Sequence, residues 1–288
     1  MSESRVALVL AETALELVPR ELYWHTSVRN HAQRLGKNVS EILLDRSFHH
    51  SAMNSGQFKM AWKRGRPDIA HFALLEALST PLYLDGLLDV YIHTIDNNVI
   101  KVGPDLRVPK SYFRFEGVIM KLFKDRSIRD KGDRILLELH DNITFENLIN
   151  NMIGSNNVVG LTSIGARSTA DQVVFRNCNK NNNARCTFVI GGFPKGHFSE
   201  CTSKLFHHSY SIGRYALESH VVIAIVQTAA AAGVLCIQPL RTDYREEHVA
   251  CVERRGLFGA ARALDVDDAL VEDRDAVARV LLRDLHRR

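Results

Sequence analysis

Runs of apolar residues alternate along the chain with amphipathic segments. Some stretches are short and rich in Val, Ile and Leu, and in others apolar residues return every three or four positions. The first pattern predicts strands at Val6–Leu10, Ile42–Leu44, Val90–His93, Ile135–Leu139, Val158–Leu161 and Thr187–Ile190. The second pattern predicts helices at Ile69–Leu78, Tyr112–Phe123 and Phe145–Met152. Because such alternation is typical of α/β proteins, we expect a mainly parallel sheet with helices on both faces.

The composition changes near the C-terminus. Residues 1–238 contain no Pro/Gly/Ser-rich linker and no internal repeat, which favours a single domain over that span. After Pro239 the chain becomes dense in Arg, Asp and Glu, with helical patterns at Leu257–Leu264 and Ala269–Leu285. We therefore expect residues 239–288 to form a charged, helical C-terminal extension.

A long apolar run at Val221–Ile237 is rich in alanine and contains Gln227 and Thr228. A membrane-spanning helix needs about 20 predominantly apolar residues. The run therefore indicates a buried helix, and we expect no membrane partner.

Composition narrows the class of protein without choosing a function. Apolar residues make up 45% of the 288 residues and charged residues 24%, as in ordinary folded proteins. The net charge is only +4, so a nucleic-acid surface would have to come from local clusters of cations. The five cysteines are irregularly spaced without a CxxC pair, which indicates reduced thiols in an intracellular protein and no metal site.

A first cluster of chemically active side chains is the segment Lys63-Arg64-Gly65-Arg66-Pro67-Asp68, directly ahead of a predicted helix. Its cations suit phosphate binding and its carboxylate suits acid/base chemistry, so both interpretations are open. A structural role is also open, because an aspartate at the start of a helix is a preferred N-cap. From the local sequence alone, N-capping by Asp68 is the favoured interpretation.

A second cluster combines cations with aromatic residues around the start of the helix predicted at Tyr112–Phe123. Lys110 and Arg114 are four residues apart, so we expect them to share a helical face, with Arg107 just outside the helix. These three side chains could bind consecutive phosphates. A merely solvated basic face is the alternative.

A third feature is the glycine-rich loop that follows the predicted strand Thr187–Ile190. Three glycines, Gly191, Gly192 and Gly196, would let the backbone approach a ligand closely. The spacing differs from the dinucleotide-binding and phosphate-binding loops, so a nucleotide-phosphate site is not expected. No nucleophile-elbow motif supports acyl transfer.

Four motifs in order resemble the SPOUT-class pseudouridine methyltransferases of small ribosomal subunit biogenesis. They are RGRPDIAHFALLEAL, VYIHTIDNNVIKV, PDLRVPKSYFRFEGV and FVIGGFPKGHFS, and the resemblance covers about residues 5–237. It implies an α/β fold with a C-terminal trefoil knot, a homodimer and S-adenosylmethionine as cofactor. No metal is implied.

The resemblance also assigns roles to individual residues. It implies a cofactor pocket formed by Leu161, Thr162, Gly191, Gly192, Phe193, Gly196, Ile212 and Leu217. It implies catalytic roles for Asp68 and Arg66, and RNA-binding roles for Arg64, Arg66, Arg107, Lys110 and Arg114. At Lys110 the family more usually has arginine, and lysine lacks the planar fork that contacts two oxygens at once.

The implied reaction is methylation of N1 of a pseudouridine in a loop of small-subunit ribosomal RNA, during ribosome biogenesis. Asp68 would accept or polarise the N1 proton, with Arg66 orienting it. Two alternatives stay open: a non-catalytic RNA-binding ribosome-assembly factor, and a knotted methyltransferase that acts on transfer RNA. Ribosome-assembly proteins are possible partners, and the expected location is the cytoplasm, or the nucleolus in a eukaryote.

Overall fold

One sheet organises the fold. In the computed structural model, which describes residues 6–55, 58–178 and 185–237, eight strands pair in the order β4-β5-β3-β2-β1-β7-β6-β8. Strands β2, β1, β7, β6 and β8 are parallel to one another, while β3, β5 and β4 add antiparallel pairs at one side. The bounds of the strands are β1 Val6–Thr13, β2 Leu88–Thr94, β3 Val99–Val102, β4 Ser127–Arg129, β5 Ile135–His140, β6 Asn157–Arg167, β7 Cys186–Gly191 and β8 His208–Ser211.

Helices lie between the strands. Their bounds are α1 Thr26–Leu35, α2 Arg46–Met53, α3 Pro67–Ala77, α4 Pro81–Leu84, α5 Tyr112–Asp125, α6 Phe145–Asn147, α7 Ala170–Cys178, α8 Glu200–Ser203 and α9 Ser219–Ile237. The described residues up to Gly233 form one compact unit. The expected α/β fold with a mainly parallel core is confirmed. The predicted charged extension, residues 239–288, lies outside the described residues.

The centre of the sheet is apolar on both faces. All eight residues of β1 are buried, and its neighbour β7 is buried over five of six. Because successive side chains of a strand point to opposite faces, Ala7, Val9 and Ala11 share one face. That face packs against Phe145 and the helical turns that follow it. A continuous apolar run is what a strand covered on both faces requires, and this is why β1 and β7 were predictable.

Two predicted elements take another form. Ile42–Leu44 is not a strand: it follows a 3-10 turn, Val39–Glu41, and only Leu43 forms a bridge, to Leu17. These three side chains are fully buried, so the apolar run reflects burial in the core and not pairing within a sheet. The predicted helix Phe145–Met152 is a short α-helix that continues as a π-helix over Leu148–Ile153.

Strand β6 bends around β8. Tyr210 pairs with both Leu161 and Ala166 of β6, so the residues between these two form a bulge that passes around it. At Gly165 a Cβ atom would lie 2.6 Å from the backbone nitrogen of Tyr210, and only glycine fits so close an approach. The bulge places Thr162 and Ser163 at the carboxyl end of the parallel strands.

No helix in the described part of the chain is long and apolar enough to cross a membrane. Among the same residues, no group of three His, Cys, Asp or Glu side chains could hold a metal ion. Cys178, Cys186 and Cys201 are free thiols.

A buried histidine pair joins α1 to α2. The backbone N–H of Asp45 donates to Nδ1 of His49 at 3.1 Å, so Nε2 of His49 carries the proton and donates to Nδ1 of His31 at 3.0 Å. Both rings are buried. Burial, and to a lesser extent the neighbouring His31, lowers the pKa of His49 from 6.5 to about 4.

This pair makes stability depend on pH. Between pH 6.5 and 4 the unfolded chain binds a proton at residue 49 that the folded chain excludes, so stability falls as the pH falls through this window. We expect a loss of up to roughly 3 kcal/mol, and a shallower pH dependence in His49→Gln. Urea unfolding at several pH values measures both, and equal slopes in the two proteins would contradict this role for His49.

Candidate active site

A cavity of about 430 Å³ lies at the carboxyl ends of β6, β7 and β8. Its wall includes seven of the eight residues predicted for the cofactor pocket: Leu161, Thr162, Gly191, Phe193, Gly196, Ile212 and Leu217. Further lining residues include Pro194, His197, Tyr210, Ser211, Gly213 and Ser219. Binding crevices in parallel sheets lie at this end of the strands. The volume and the mixture of apolar and polar walls suit a small organic ligand.

Gly192 supports the cavity without lining it. Its N–H donates to the carbonyl of Ala11 at 2.9 Å, and its own carbonyl accepts from the N–H of Ala14 at 2.9 Å. A Cβ atom here would lie 2.8 Å from the Cα atom of Thr13. The ends of β7 and β1 can therefore approach each other only because residue 192 is glycine.

Gly196 is constrained in another way. Its φ is +89°, and a Cβ atom would lie 2.9 Å from Cη2 of Trp62. Trp62 belongs to the 3-10 turn Ala61–Lys63, so this turn packs directly on the glycine-rich loop. The loop predicted from its glycines is thus held close to the first basic cluster.

The backbone joins that basic cluster to the cavity. The N–H of Arg66 donates to the carbonyl of Ala14 at 3.1 Å, and the N–H of Ala14 donates to Gly192. At the other side of the cavity, Oγ of Ser219 donates to the carbonyl of Gly191 at 2.6 Å. Two backbone hydrogen bonds therefore separate Arg66 from the glycine-rich loop.

Arg66 and Asp68 form a forked ion pair at the start of α3. Nε and Nη2 of Arg66 donate to the two carboxylate oxygens of Asp68 at 2.7 and 2.6 Å. The two side chains are 39% and 31% exposed, so both can reach a ligand. The hydrogen bond to Asp68 raises the pKa of Arg66, and burial opposes this only in part. A carboxylate held in this way keeps lone pairs for a further donor.

The prediction that Asp68 is the N-cap is wrong. Arg66 is the N-cap residue, Pro67 is the first helical residue and Asp68 is the second. Proline is preferred at the first helical position because its fixed φ fits a helix. The carboxylate therefore pairs with Arg66 and lies near the positive end of the helix dipole.

Arg64 does not belong to an open RNA-binding surface. Its guanidinium forms a forked ion pair with the buried carboxylate of Glu16 and stacks on Phe58, 4.4 Å from the ring centre. Only 12% of the side chain is exposed. Glu16 thus engages Nε and Nη2 of Arg64, and the RNA-binding role of Arg64 stays a prediction.

The second basic cluster is open to solvent. Arg107, Lys110 and Arg114 are exposed, and none of their side chains has a hydrogen bond or ion pair with a described residue. The prediction that Lys110 and Arg114 share a helical face is wrong, because α5 begins at Tyr112 and Lys110 lies ahead of it. Cations without partners remain available for phosphates.

Contacts that sequence patterns missed hold this cluster against α3 and the start of α2. Nε2 of His71, on α3, donates to the carbonyl of Pro109 at 2.7 Å, and its ring stacks on Phe115 at 4.5 Å. The hydroxyl of Tyr112 donates to the carboxylate of Asp45. The partners are 38 to 67 residues apart along the chain, so no local pattern could reveal them.

Comparison with known proteins agrees with this geometry. Residues 8–230 match the family model described as EMG1/NEP1 methyltransferase. The chain is 36% identical over 225 residues to the ribosomal RNA small subunit methyltransferase Nep1 of Staphylothermus marinus, covering 78% of this chain and 94% of that protein. It is 40% identical over 191 residues to the Thermococcus sibiricus protein of the same name, covering 66% and 83%.

The fold is also similar to a solved structure. The crystal structure of Archaeoglobus fulgidus Nep1 bound to S-adenosylhomocysteine superposes with a TM-score of 0.68 and 33% sequence identity. The match covers 79% of this chain and 98% of that one.

The tight contact at Gly192 gives a direct test of the geometry. Gly192→Ala would push β1 and β7 apart, so we expect a loss of roughly 1–3 kcal/mol in the free energy of unfolding. Gly117→Ala is the control, because a Cβ atom at this glycine of α5 meets nothing within 4 Å. Chemical denaturation compares the two, and equal stability of both variants would show that Gly192 is not constrained.

Proposed function

The chain belongs to the EMG1/NEP1 methyltransferase family, and on that premise we propose that it methylates N1 of a pseudouridine in a loop of small-subunit ribosomal RNA. The broader activity, S-adenosylmethionine-dependent methylation of that RNA in ribosome biogenesis, follows from the family and its relatives. One observation carries the proposal. A cavity lined by the expected cofactor residues lies two backbone hydrogen bonds from the Arg66–Asp68 pair.

The cavity has the properties that the cofactor needs. Its volume of about 430 Å³ lies within the usual range for ligand pockets. Gly191 and Gly196 let the backbone approach the ligand, and Phe193 gives an apolar wall for an adenine ring. S-adenosylmethionine bound there supplies a methyl group on a positively charged sulfur. We further infer that the bend of β6 around β8 belongs to the trefoil knot of the family.

Arg66 and Asp68 are placed for the proton transfer. Pseudouridine carries an N1–H group that must lose its proton before N1 can attack the methyl carbon. Asp68 accepts this proton, while Arg66 holds the carboxylate in place and offsets negative charge on the ring. Alignment of N1 with the methyl carbon at about 3–3.5 Å supplies much of the remaining acceleration.

Arg107, Lys110 and Arg114 bind the phosphates around the target loop. Their position beside α3 follows from the hydrogen bond between His71 and Pro109. Lys110 serves as a point charge for one phosphate, since lysine lacks the two-pronged geometry of arginine. The target base is unstacked in a loop, because a base in a helix could not reach the cavity.

The assay that tests the function uses two RNA hairpins that differ only in uridine or pseudouridine at the target. With labelled S-adenosylmethionine, we expect label in the pseudouridine hairpin alone. Tight binding of both hairpins without label would support the assembly-factor alternative. Preferential labelling of transfer RNA in competition would support the transfer-RNA alternative.

Asp68→Asn tests the proposed base. Asparagine keeps an acceptor for Arg66 but does not take the N1 proton, so we expect turnover to fall at least about 100-fold with a nearly unchanged melting temperature. Asp171→Asn is the matched control, because Asp171 is exposed and is also the second residue of its helix, α7. Normal turnover in Asp68→Asn would remove Asp68 from the mechanism.

Arg114→Ala tests the phosphate surface. Loss of one phosphate contact weakens RNA binding and lowers the slope of log affinity against log salt by about 0.7, the value for single-stranded RNA. Arg176→Ala replaces an exposed arginine of α7 and serves as the control. A salt slope unchanged in Arg114→Ala would exclude a phosphate contact at Arg114.

We also propose that the chain is a homodimer whose interface includes α3 and α9. Phe72 of α3 is 51% exposed and Ile225 of α9 is 38% exposed. The ring of Phe72 lies 5.7 Å from that of His220, so these helices meet at the surface. Exposed apolar side chains on adjoining helices suit a protein interface.

Phe72→Asp tests the interface. A charge placed in an apolar interface opposes association, so we expect monomers by sedimentation at micromolar concentration. Phe175→Asp is the control, since Phe175 is 69% exposed on α7, outside the proposed interface. A dimer that persists in Phe72→Asp would place the interface elsewhere.

A further inference from the structure

A buried ion pair lies behind the glycine-rich loop. Glu12 stands near the end of β1 with a φ of 51°, where the pairing of β1 with β2 shifts register. The left-handed region is unfavourable for a residue with a Cβ atom and persists only where surrounding contacts enforce it. Those contacts come from Lys63, whose side chain is 5% exposed and whose ammonium binds the Glu12 carboxylate.

Lys63 also contacts the loop itself. Its Nζ donates to the carbonyl of His197 at 2.8 Å and lies 4.0 Å from the centre of the Phe193 ring. An ammonium over an aromatic face is attracted to it, most strongly where water is excluded. His197 and Phe193 both line the cavity, whereas Lys63 does not. The lysine therefore reaches the cavity only through these two residues.

Glu12 holds the far end of the same loop. Its Oε1 accepts hydrogen bonds from the N–H of Ser199 at 2.8 Å and from its Oγ at 2.7 Å. Burial raises the pKa of Glu12, but hydrogen bonds from Lys63, Thr202 and Ser199 outweigh it, so the pKa is lowered overall. The carboxylate is thus charged and anchors residue 199 while Lys63 anchors residue 197.

The loop has little else to fix its shape. Within the described part of the chain, residues 193–198 make no backbone–backbone hydrogen bond with any other residue. Besides the contact with Lys63, Phe193 packs on Phe198 at 5.5 Å, Phe198 packs on Phe206 at 5.1 Å and on the apolar cluster beside β1, and Trp62 packs against Gly196. Side-chain contacts must therefore define the loop.

We propose that Glu12 and Lys63 are positioning residues that preset the loop 193–199 for S-adenosylmethionine. The inference rests on the proposed function, because it takes the cavity to be the cofactor site. A loop that already has its bound conformation binds its ligand more tightly, because it loses less conformational entropy on binding. Neither residue touches the RNA surface, so the effect falls on cofactor affinity and not on RNA affinity.

The test compares Glu12→Gln, Lys63→Met and the double variant by calorimetric titration with S-adenosylhomocysteine. Each single variant leaves a buried charge or polar group without its partner, so its melting temperature falls as well. The double variant leaves no unpaired charge and should regain much of that melting temperature. We expect all three to bind S-adenosylhomocysteine about tenfold more weakly, with unchanged affinity for the RNA hairpin.

If the double variant regains melting temperature but still binds S-adenosylhomocysteine weakly, the pair positions the loop and does not merely stabilise the fold. Wild-type affinity in the double variant would overturn the proposal. Failure of the wild-type protein itself to bind S-adenosylhomocysteine would instead contradict the proposed function on which the inference rests.

Ser199→Ala is a milder test that leaves the ion pair intact. It removes the 2.7 Å hydrogen bond from Oγ to Glu12 together with the contacts by which Oγ caps α8 at Thr202, so we expect about threefold weaker binding and a small fall in melting temperature. Ser203→Ala is the matched control, because Oγ of Ser203 bonds only to the backbone of Ser199 and Glu200. Equal affinities in these two serine variants would also overturn the proposal.

Discussion

The backbone of Ala14 joins the two halves of the site. Its N–H donates to Gly192 of the cavity loop, and its carbonyl accepts from Arg66 of the Arg66–Asp68 pair. The residue is fully buried, where a lost backbone hydrogen bond is costly, so neither half can move without the other. The arrangement depends on the close approach of Gly192 to Thr13, which a side chain at residue 192 would prevent. Under the proposed function, the central strand would therefore hold cofactor and target base in a fixed relation.

Buried charges at the end of β1 explain why the cations of the segment 63–68 have different partners. Two buried carboxylates lie at the end of β1 and just after it, on Glu12 and Glu16. Each needs a cation, because an unpaired buried charge is strongly unfavourable. Lys63 and Arg64 meet that need. Arg66 remains half exposed and pairs with Asp68. The proposed phosphate contacts then fall to the second cluster, whose side chains have no acidic partners among the described residues.

The sequence predicted the strands that are buried on both faces and missed those that are short or polar. Strand β8, with the sequence HSYS, has no aliphatic residue, and its place in the sheet follows from pairing with the bulged β6. The cavity wall was predictable through the resemblance to the family, since seven of the eight residues that it implied line the cavity. Gly192 differs because its role depends on a contact with Thr13, distant in the sequence.

Side-chain partnerships were the least predictable feature. Arg64 and Arg66 stand two residues apart with the same charge, yet one is buried against Glu16 and the other is open to the site. Nothing local distinguishes them, because the difference arises from a carboxylate 48 residues earlier in the chain. For the same reason, the Glu12–Lys63 pair could not be found from motifs, although both residues lie within the span that resembles the family.

The most direct measurement of the central claim is a structure of the protein with S-adenosylhomocysteine and a pseudouridine hairpin. The account predicts the target base unstacked beside the cavity, with N1 at hydrogen-bonding distance, about 2.6–3.2 Å, from the carboxylate of Asp68. The glycine-rich loop should lie on the other side of the base and enclose the cofactor. A base whose N1 lies away from Asp68, or a cofactor bound outside the cavity, would contradict it.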